Sequence, residues 1–187
     1  LNFVSREEYR NVTAIKERFN GVYWINEGGY GAKGAQGAKE IVSFCNDAEA
    51  YSHIVCAVGT GTMMAGIVES VNVNQVVIGV SVMKGNIELM NNVTSLVDTE
   101  SVAKQYSITH DYHFGGYAKH PPELIEFMNQ VWQQYHLPTD IVYTAKTLFA
   151  IQELILNDTI PAGSNVLMIH SGGLQGNLSL PAGTLCF

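Results

Sequence analysis

The sequence predicts an α/β protein built as a three-layer, open and mostly parallel sheet with helices on both faces. Short runs of β-branched and aromatic residues alternate with longer segments of helical period, which is the pattern of parallel strands joined by crossover helices. The chain has 187 residues, of which 47% are hydrophobic. A chain of this length and composition can bury the core that such a sheet requires.

The strands are predicted from continuous apolar runs, which are typical of strands buried on both faces. The runs at 53–58 and 75–82 are the clearest, and a helix predicted over 63–70 connects them. This region therefore forms one βαβ unit. Two further strands are predicted at 22–26 and 165–169.

The remaining helices are predicted from apolar periodicity and from end signals. Ser5 followed by Glu8 is a capping-box pattern, and Pro121 and Pro122 precede an amphipathic segment. These signals predict helices over 6–19, 35–50, 86–105, 123–135 and 144–156.

Composition excludes several classes of partner. The net charge is −7 and the ten Lys and Arg residues are scattered, so no basic surface is expected to bind nucleic acid. The apolar runs are too short to cross a bilayer, and no segment has the pattern of a signal peptide. Cys45, Cys56 and Cys186 form no CxxC motif, which favours a reducing, cytoplasmic compartment.

Two other constellations predict no chemistry. His110, His113 and His120 with Asp111 lack the spacing of a helical ligand pair and a fourth ligand, so no metal site is predicted. Ser171 follows a histidine but lies in no GxSxG motif, so a serine hydrolase is not predicted.

One turn points to an anion. In "VCAVGTGTMMAGI" (55–67) a predicted strand ends in Gly-Thr-Gly-Thr and continues directly into a predicted helix. Free backbone N–H groups and the helix dipole would favour a phosphate there. The sequence is neither a Walker loop nor a dinucleotide fingerprint, which requires glycine where Met64 stands. An ordinary βα turn that binds nothing is the alternative.

Four further stretches carry a family resemblance: "NEGGYGAKGAQG" (26–37), "GGYAKHPPELIEFM" (115–128), "IVYTAKTLFAIQELI" (141–155) and "VLMIHSGG" (166–173). In this order they resemble the D-cysteine desulfhydrase and 1-aminocyclopropane-1-carboxylate deaminase family of pyridoxal-phosphate enzymes. The resemblance implies the tryptophan-synthase-β type of fold, with two α/β domains and the cofactor in the cleft between them.

The resemblance also implies cofactor-binding residues. Thr60, Gly61, Thr62 and Met63 would bind the phosphate of pyridoxal phosphate, and Thr144 would hydrogen-bond its pyridine nitrogen. The family's deaminase branch has glutamate at this last position and its desulfhydrase branch has threonine, so Thr144 favours β-elimination from a D-amino acid. A simple helix cap is the alternative role for this threonine.

Two tyrosines are the catalytic candidates that the resemblance implies. Tyr143 would line the substrate pocket, and Tyr117 would act as an acid or base, or orient the substrate, near the leaving group. The pattern departs from the family immediately afterwards, because Ala118, Lys119 and His120 replace the family's Gly and Pro. The geometry of this loop, and with it the substrate of the enzyme, therefore stays open.

The resemblance further implies that the chain is a piece of a longer enzyme. Residues 1–30 would be a remnant of the small domain, and 31–187 the large cofactor-binding domain without its N-terminal segment. None of the seven lysines lies in the family's Schiff-base motif, so the chain alone is expected to be inactive. The parent would be a homodimeric lyase or deaminase that converts a small amino acid, of the D-cysteine or 1-aminocyclopropane-1-carboxylate type, to a 2-oxo acid and ammonia. A non-catalytic α/β protein that binds a small phosphorylated ligand is the alternative.

Overall fold

The computed structural model describes residues 2–187 and contains a four-stranded parallel sheet between two layers of helices. The strands lie in the order β3-β2-β1-β4, and every neighbouring pair is parallel. The predicted α/β architecture is therefore confirmed. The strands are β1 (His53–Val58), β2 (Val76–Ser81), β3 (Gln105–Thr109) and β4 (Val166–Ile169). The helices are α1 (Arg6–Tyr9), α2 (Val12–Arg18), α3 (Ala32–Ala38), α4 (Thr62–Ser70), α5 (Leu89–Thr94), α6 (Pro122–Tyr135) and α7 (Thr144–Leu156).

The two faces of β1 are covered by different helices. Alternate residues of a strand point to opposite faces, and Ile54 packs in a cluster with residues of α3, α4 and α5. Val55 packs instead with Ile151 and Leu154 of α7. Helix α6 lies against α7, through a third cluster that includes Leu124. Burying these side chains on both faces is the main source of stability of the sheet.

The strand predicted at 22–26 is wrong. This segment is not in any strand, and Val22, Tyr23 and Ile25 are 60%, 71% and 74% exposed. Its β-branched and aromatic residues fit the local pattern of a strand. A strand also needs a neighbour that supplies backbone hydrogen bonds and a covering layer, and β1–β4 do not pair with this segment.

The first two predicted helices are shorter than expected. The segment 6–19 is divided into α1 and α2, because Asn11 accepts the N–H of Ala14 (3.2 Å) and so starts a second helix. The capping box of Ser5 and Glu8 is confirmed. The helix predicted at 35–50 ends as α3 at Ala38, and short 3-10 turns follow it.

The helix predicted at 86–105 is also wrong in extent. Only Leu89–Thr94 is helical, as α5, and β3 begins at Gln105. Strand β3 is at the edge of the sheet and only partly buried, so it lacks the continuous apolar run that identified β1 and β2. No helix within residues 2–187 combines the length and the hydropathy needed to cross a bilayer.

Candidate functional site

A cavity of about 380 Å³ opens beside the carboxyl end of β1, within the size range of small-molecule sites. Segments far apart in the chain line it: Glu27 and Gly28, residues 57–64, Met83, Tyr117, Tyr143 and Ser171. Met83 and Ser171 follow the ends of β2 and β4, which is where open α/β sheets bind ligands. Ser171 was expected near a ligand site from its place after a predicted strand, whereas Met83 was expected only to pack in the core.

The turn between β1 and α4 forms one wall of this cavity. Gly61 has φ +98°, and a Cβ there would lie 2.8 Å from Cγ2 of Val93, so the turn requires glycine. The N–H of Ala65 donates to the carbonyl of Gly61 (2.9 Å). The N–H groups of Thr62 and Met63 precede this bond and have no acceptor within the nine-residue helix. They and the helix dipole favour an anion in the cavity.

Two threonine hydroxyls lie at the same turn. Oγ1 of Thr60 is 3.0 Å from Oγ1 of Thr62, and both residues line the cavity. One hydroxyl donates to the other, so the pair keeps one proton with which to bond an oxygen of a ligand. Gly28 covers the pair, since a Cβ on it would lie 2.7 Å from Cγ2 of Thr60.

Tyr117 and Tyr143 line the same cavity, and their rings meet edge to face with centroids 6.2 Å apart. Burial raises the pKa of Tyr143 to about 12, with further contributions from the Tyr117 hydroxyl and from the negative charges of Asp140 and Glu27. The Tyr143 phenol is therefore protonated at neutral pH and can donate a hydrogen bond to a ligand.

Thr144 does not line the cavity. Its side chain is buried, and its hydroxyl donates to Oδ2 of Asp140 (2.6 Å) and accepts the N–H of Asp140 (2.7 Å). Because a hydroxyl has a single proton, the contact to a ring nitrogen that the resemblance implies would require this proton to be redirected. That role stays a prediction.

Asp140 is the residue that sequence analysis missed. Its buried carboxylate accepts the N–H groups of Val142 and Tyr143 at Oδ1 (2.8 Å each) and that of Thr144 at Oδ2 (2.9 Å). A Cβ on Gly173 would lie 3.2 Å from Cγ of Asp140, which explains the second glycine of the "HSGG" stretch. An acidic residue just before a predicted helix was the available signal.

The histidines of the motif segments contact the backbone of loops. His170 Nε2 lies 2.9 Å from the carbonyl of Pro138, beside Asp140. His113 Nδ1 accepts the N–H of Gly115, and His120 Nδ1 lies 2.8 Å from the carbonyl of Ala118. Over residues 2–187, no group of three His, Cys, Asp or Glu side chains is arranged to hold a metal ion.

Comparison with known proteins identifies the family. Residues 2–172 match the family model described as pyridoxal-phosphate dependent enzyme. The chain belongs to this family.

The proteins found to be similar to this chain are longer than it is. A Thermotoga maritima protein named "Putative 1-aminocyclopropane-1-carboxylate deaminase" is 30% identical over 197 residues, covering 92% of this chain and 61% of the relative. A Pyrococcus abyssi protein of the same name is 31% identical over 132 residues, covering 66% and 39%. A crystal structure of an ACC deaminase homologue superimposes with a TM-score of 0.72 at 23% identity, covering 95% of this chain and 58% of that one. The chain thus spans less than two thirds of each of these proteins.

The turn before α4 fits the phosphate of the pyridoxal-phosphate family's cofactor. The positive φ of Gly61 directs free N–H groups of the helix start to one place, and the paired hydroxyls of Thr60 and Thr62 lie beside them. Both are donors, as phosphate oxygens require. Met63, Met64 and Met83 give the remainder of the cavity apolar surface, which suits an aromatic ring.

The loop of Tyr117 contains an alanine whose backbone conformation is expected to cost stability. Ala118 adopts a φ of +54°, a conformation that disfavours a residue with a Cβ. Its methyl group is partly buried against the α6–α7 cluster. We expect Ala118→Gly to raise the free energy of unfolding by about 0.5–1 kcal/mol, measured by urea denaturation.

The control for this loop variant is Ala14→Gly in α2, an exposed helical alanine. There the same substitution should lower the free energy of unfolding by about 1 kcal/mol. Destabilisation by Ala118→Gly of the size found for Ala14→Gly would contradict the backbone explanation.

Proposed function

We propose that the cavity binds pyridoxal phosphate and that the chain forms the cofactor-binding part of a lyase or deaminase acting on a small amino acid. The observation that carries the proposal is the anion-binding turn at Thr60–Thr62, which opens into the same cavity as the phenol groups of Tyr117 and Tyr143. Family membership supports the choice of cofactor. The products would be a 2-oxo acid and ammonia.

The roles of the residues follow from their places in the cavity. When bound, pyridoxal phosphate withdraws electrons from the amino acid and makes its α-proton acidic. The N–H groups of Thr62 and Met63 and the threonine hydroxyls would hold the phosphate. Tyr143, a protonated phenol at neutral pH, would donate a hydrogen bond to the substrate. The more exposed Tyr117 would orient the substrate or exchange a proton near the leaving group.

The substrate is proposed at the level of class. The name of the relatives suggests 1-aminocyclopropane-1-carboxylate as the substrate. Thr144, which the resemblance assigns to the desulfhydrase branch, suggests instead a D-amino acid such as D-cysteine. The whole protein would be assayed with both. We also propose a homodimer, on the resemblance, and a cytoplasmic location, because Cys45, Cys56 and Cys186 are all free thiols.

The domain division and the covalent lysine are part of the same proposal. Residues 1–30 would belong with a small domain and 31–187 with the large one. The residues that line the described cavity include no lysine, and buried Lys146 bonds to backbone carbonyls. We therefore propose that the lysine that binds the cofactor covalently comes from outside this chain and that residues 1–187 alone do not turn over.

A non-catalytic binder of a small phosphorylated ligand is the second candidate. The lining without a lysine supports it, because the turn and the hydroxyls of Thr60 and Thr62 could hold a phosphate without one. The two candidates differ in what they require beyond the phosphate. A cofactor site should prefer pyridoxal phosphate to inorganic phosphate by at least about tenfold, since the ring adds apolar burial worth more than 1.4 kcal/mol.

The test replaces the hydroxyls of the turn. We expect Thr60→Val with Thr62→Val to weaken the binding of both inorganic phosphate and pyridoxal phosphate by about tenfold, measured by isothermal titration calorimetry, because a hydrogen bond to a charged group is lost. Thr94→Val in α5 is the matched control. The Thr94 hydroxyl lies 3.4 Å from that of Tyr106 and away from the cavity lining, so its removal should leave the affinity for both ligands unchanged.

Three outcomes separate the candidates. Tighter binding of pyridoxal phosphate than of phosphate supports the enzyme, and equal binding of the two supports the phosphate binder. If the unmodified chain binds neither, or if the double variant binds as well as Thr94→Val, the assignment of the turn is wrong.

A further inference from the structure

The segment that carries Tyr117 has an unusual backbone. Phe114, Gly115, Gly116 and Ala118 all have positive φ, at +53°, +94°, +123° and +54°. Two of these are not glycine, and such conformations persist only where surrounding contacts hold them. The position of the Tyr117 ring therefore depends on whatever fixes this segment.

Lys146 on α7 forms hydrogen bonds to the backbone of this segment. Nζ of Lys146 donates to the carbonyl of His113 (3.0 Å) and to that of Gly116 (2.7 Å), and the side chain is 0% exposed. The same two carbonyls accept backbone N–H groups, from Gly116 (3.0 Å) and Lys119 (3.1 Å). The lysine thus joins two successive turns through their carbonyl oxygens.

The same helix contacts the segment a second time. The ring of Phe149 meets that of Phe114 edge to face, with centroids 4.9 Å apart. Lys146 lies three residues after Tyr143, which is the residue immediately before α7. Helix α7 therefore begins directly after Tyr143 and contacts the loop of Tyr117 through Lys146 and Phe149.

The charge of Lys146 matters for the strength of these bonds. Burial lowers the pKa of its ammonium to about 8, and the negative charge of Asp140 opposes this effect. The ammonium form therefore prevails at pH 7. Hydrogen bonds from an ammonium group to carbonyls are stronger than those from neutral donors, and more so when shielded from water.

We propose that Lys146 is a positioning residue, which holds the turns at 113–119 and thereby sets the Tyr117 ring against Tyr143 in the cavity. It touches neither substrate nor cofactor in this role. The catalytic importance of placing the Tyr117 ring rests on the proposed function. The structural role of Lys146 does not, because it concerns the chain without a ligand.

The test measures hydrogen exchange of residues 113–120 in the ligand-free chain. Lys146→Met preserves side-chain length but leaves the two carbonyls without the ammonium, so exchange in this segment should accelerate at least tenfold while that of β1 and β2 is unchanged. Lys146→Arg, which keeps the charge and the donors, should restore at least part of the protection.

Lys104→Met is the matched control. Nζ of Lys104 also donates to two carbonyls, those of Val68 (3.1 Å) and Glu69 (2.8 Å), at the other end of α4 from the cavity. This variant should leave exchange at 113–120 unchanged. Uniform acceleration over the whole chain in Lys146→Met, or unchanged exchange at 113–120, would overturn the proposal.

A measurement on the unmodified chain covers the case in which Lys146→Met does not fold. Reductive methylation followed by mass spectrometry should modify Lys146 no faster than the segment 113–120 opens in hydrogen exchange. Methylation of Lys146 while the segment stays protected would also overturn the proposal. Phosphate affinity, measured separately, tests only the proposed function, so the two can fail independently.

Discussion

Replacing Asp140 by alanine is expected to lower the free energy of unfolding by about 3–5 kcal/mol, because it leaves buried donors without their acceptor. The carboxylate accepts three backbone N–H groups and the Thr144 hydroxyl at 2.6–2.9 Å. No water can replace it easily, since Asp140 and Thr144 are 0% and 1% exposed. Urea denaturation of Asp140→Ala against the unmodified chain measures the loss.

The control for this carboxylate is Asp98→Ala. Asp98 also accepts a backbone N–H at a turn, that of Ser101 (2.8 Å), but its side chain is 46% exposed, so water can take its place. Its loss should cost less than about 1 kcal/mol. Similar losses for the two variants would show that the Asp140 cluster does not stabilise the start of α7.

Adding one methyl group at Gly66 is expected to lower the free energy of unfolding nearly as much as Asp140→Ala. A Cβ there would lie 2.4 Å from the carbonyl oxygen of Ala35 and 2.6 Å from Cβ of Ala38, so α3 and α4 would have to separate. Backbone atoms of one helix cannot move away as the end of a flexible side chain could. We expect Gly66→Ala to lower the free energy of unfolding by about 3 kcal/mol, measured by denaturation.

This helix crossing has its own control in Gly37. That glycine lies within α3, is exposed, and a Cβ there would meet nothing within 4 Å. Gly37→Ala should raise the free energy of unfolding by about 0.5–1 kcal/mol, through helix propensity. A stabilising Gly66→Ala would contradict the close approach of the two helices.

The parts of the fold that were predicted correctly are those with a strong local signal. Strands β1 and β2 are continuous apolar runs, and α7 has a clear helical period, so their bounds agree with the structure to within about one residue. The edge strand β3 was missed and the segment 22–26 was wrongly predicted, because pairing with a neighbour decides both. Single-sequence patterns do not contain that information.

The site divides in the same way. The free N–H groups of the Gly-Thr-Gly-Thr turn were predictable, because they are a local property of a helix start. Phosphate binding there stays a prediction. The contact between Gly173 and the carboxylate of Asp140 joins two distant segments of the chain. The partners of Lys146 lie 33 and 30 residues away in sequence. Only the folded chain brings these groups together.

The strand order has a further consequence. From β1 the chain moves outward to β2 and β3, then returns across β1 to add β4, so the cavity lies at the point where the winding direction reverses. The Gly-Thr-Gly-Thr turn leads into α4 on one face of the sheet. Tyr143 packs with the cluster of α6 and α7, and α7 covers the opposite face. In the proposed function, substitutions near Tyr143 would change the substrate preference while the turn before α4 still held the phosphate, because the two lie on opposite sides of β1.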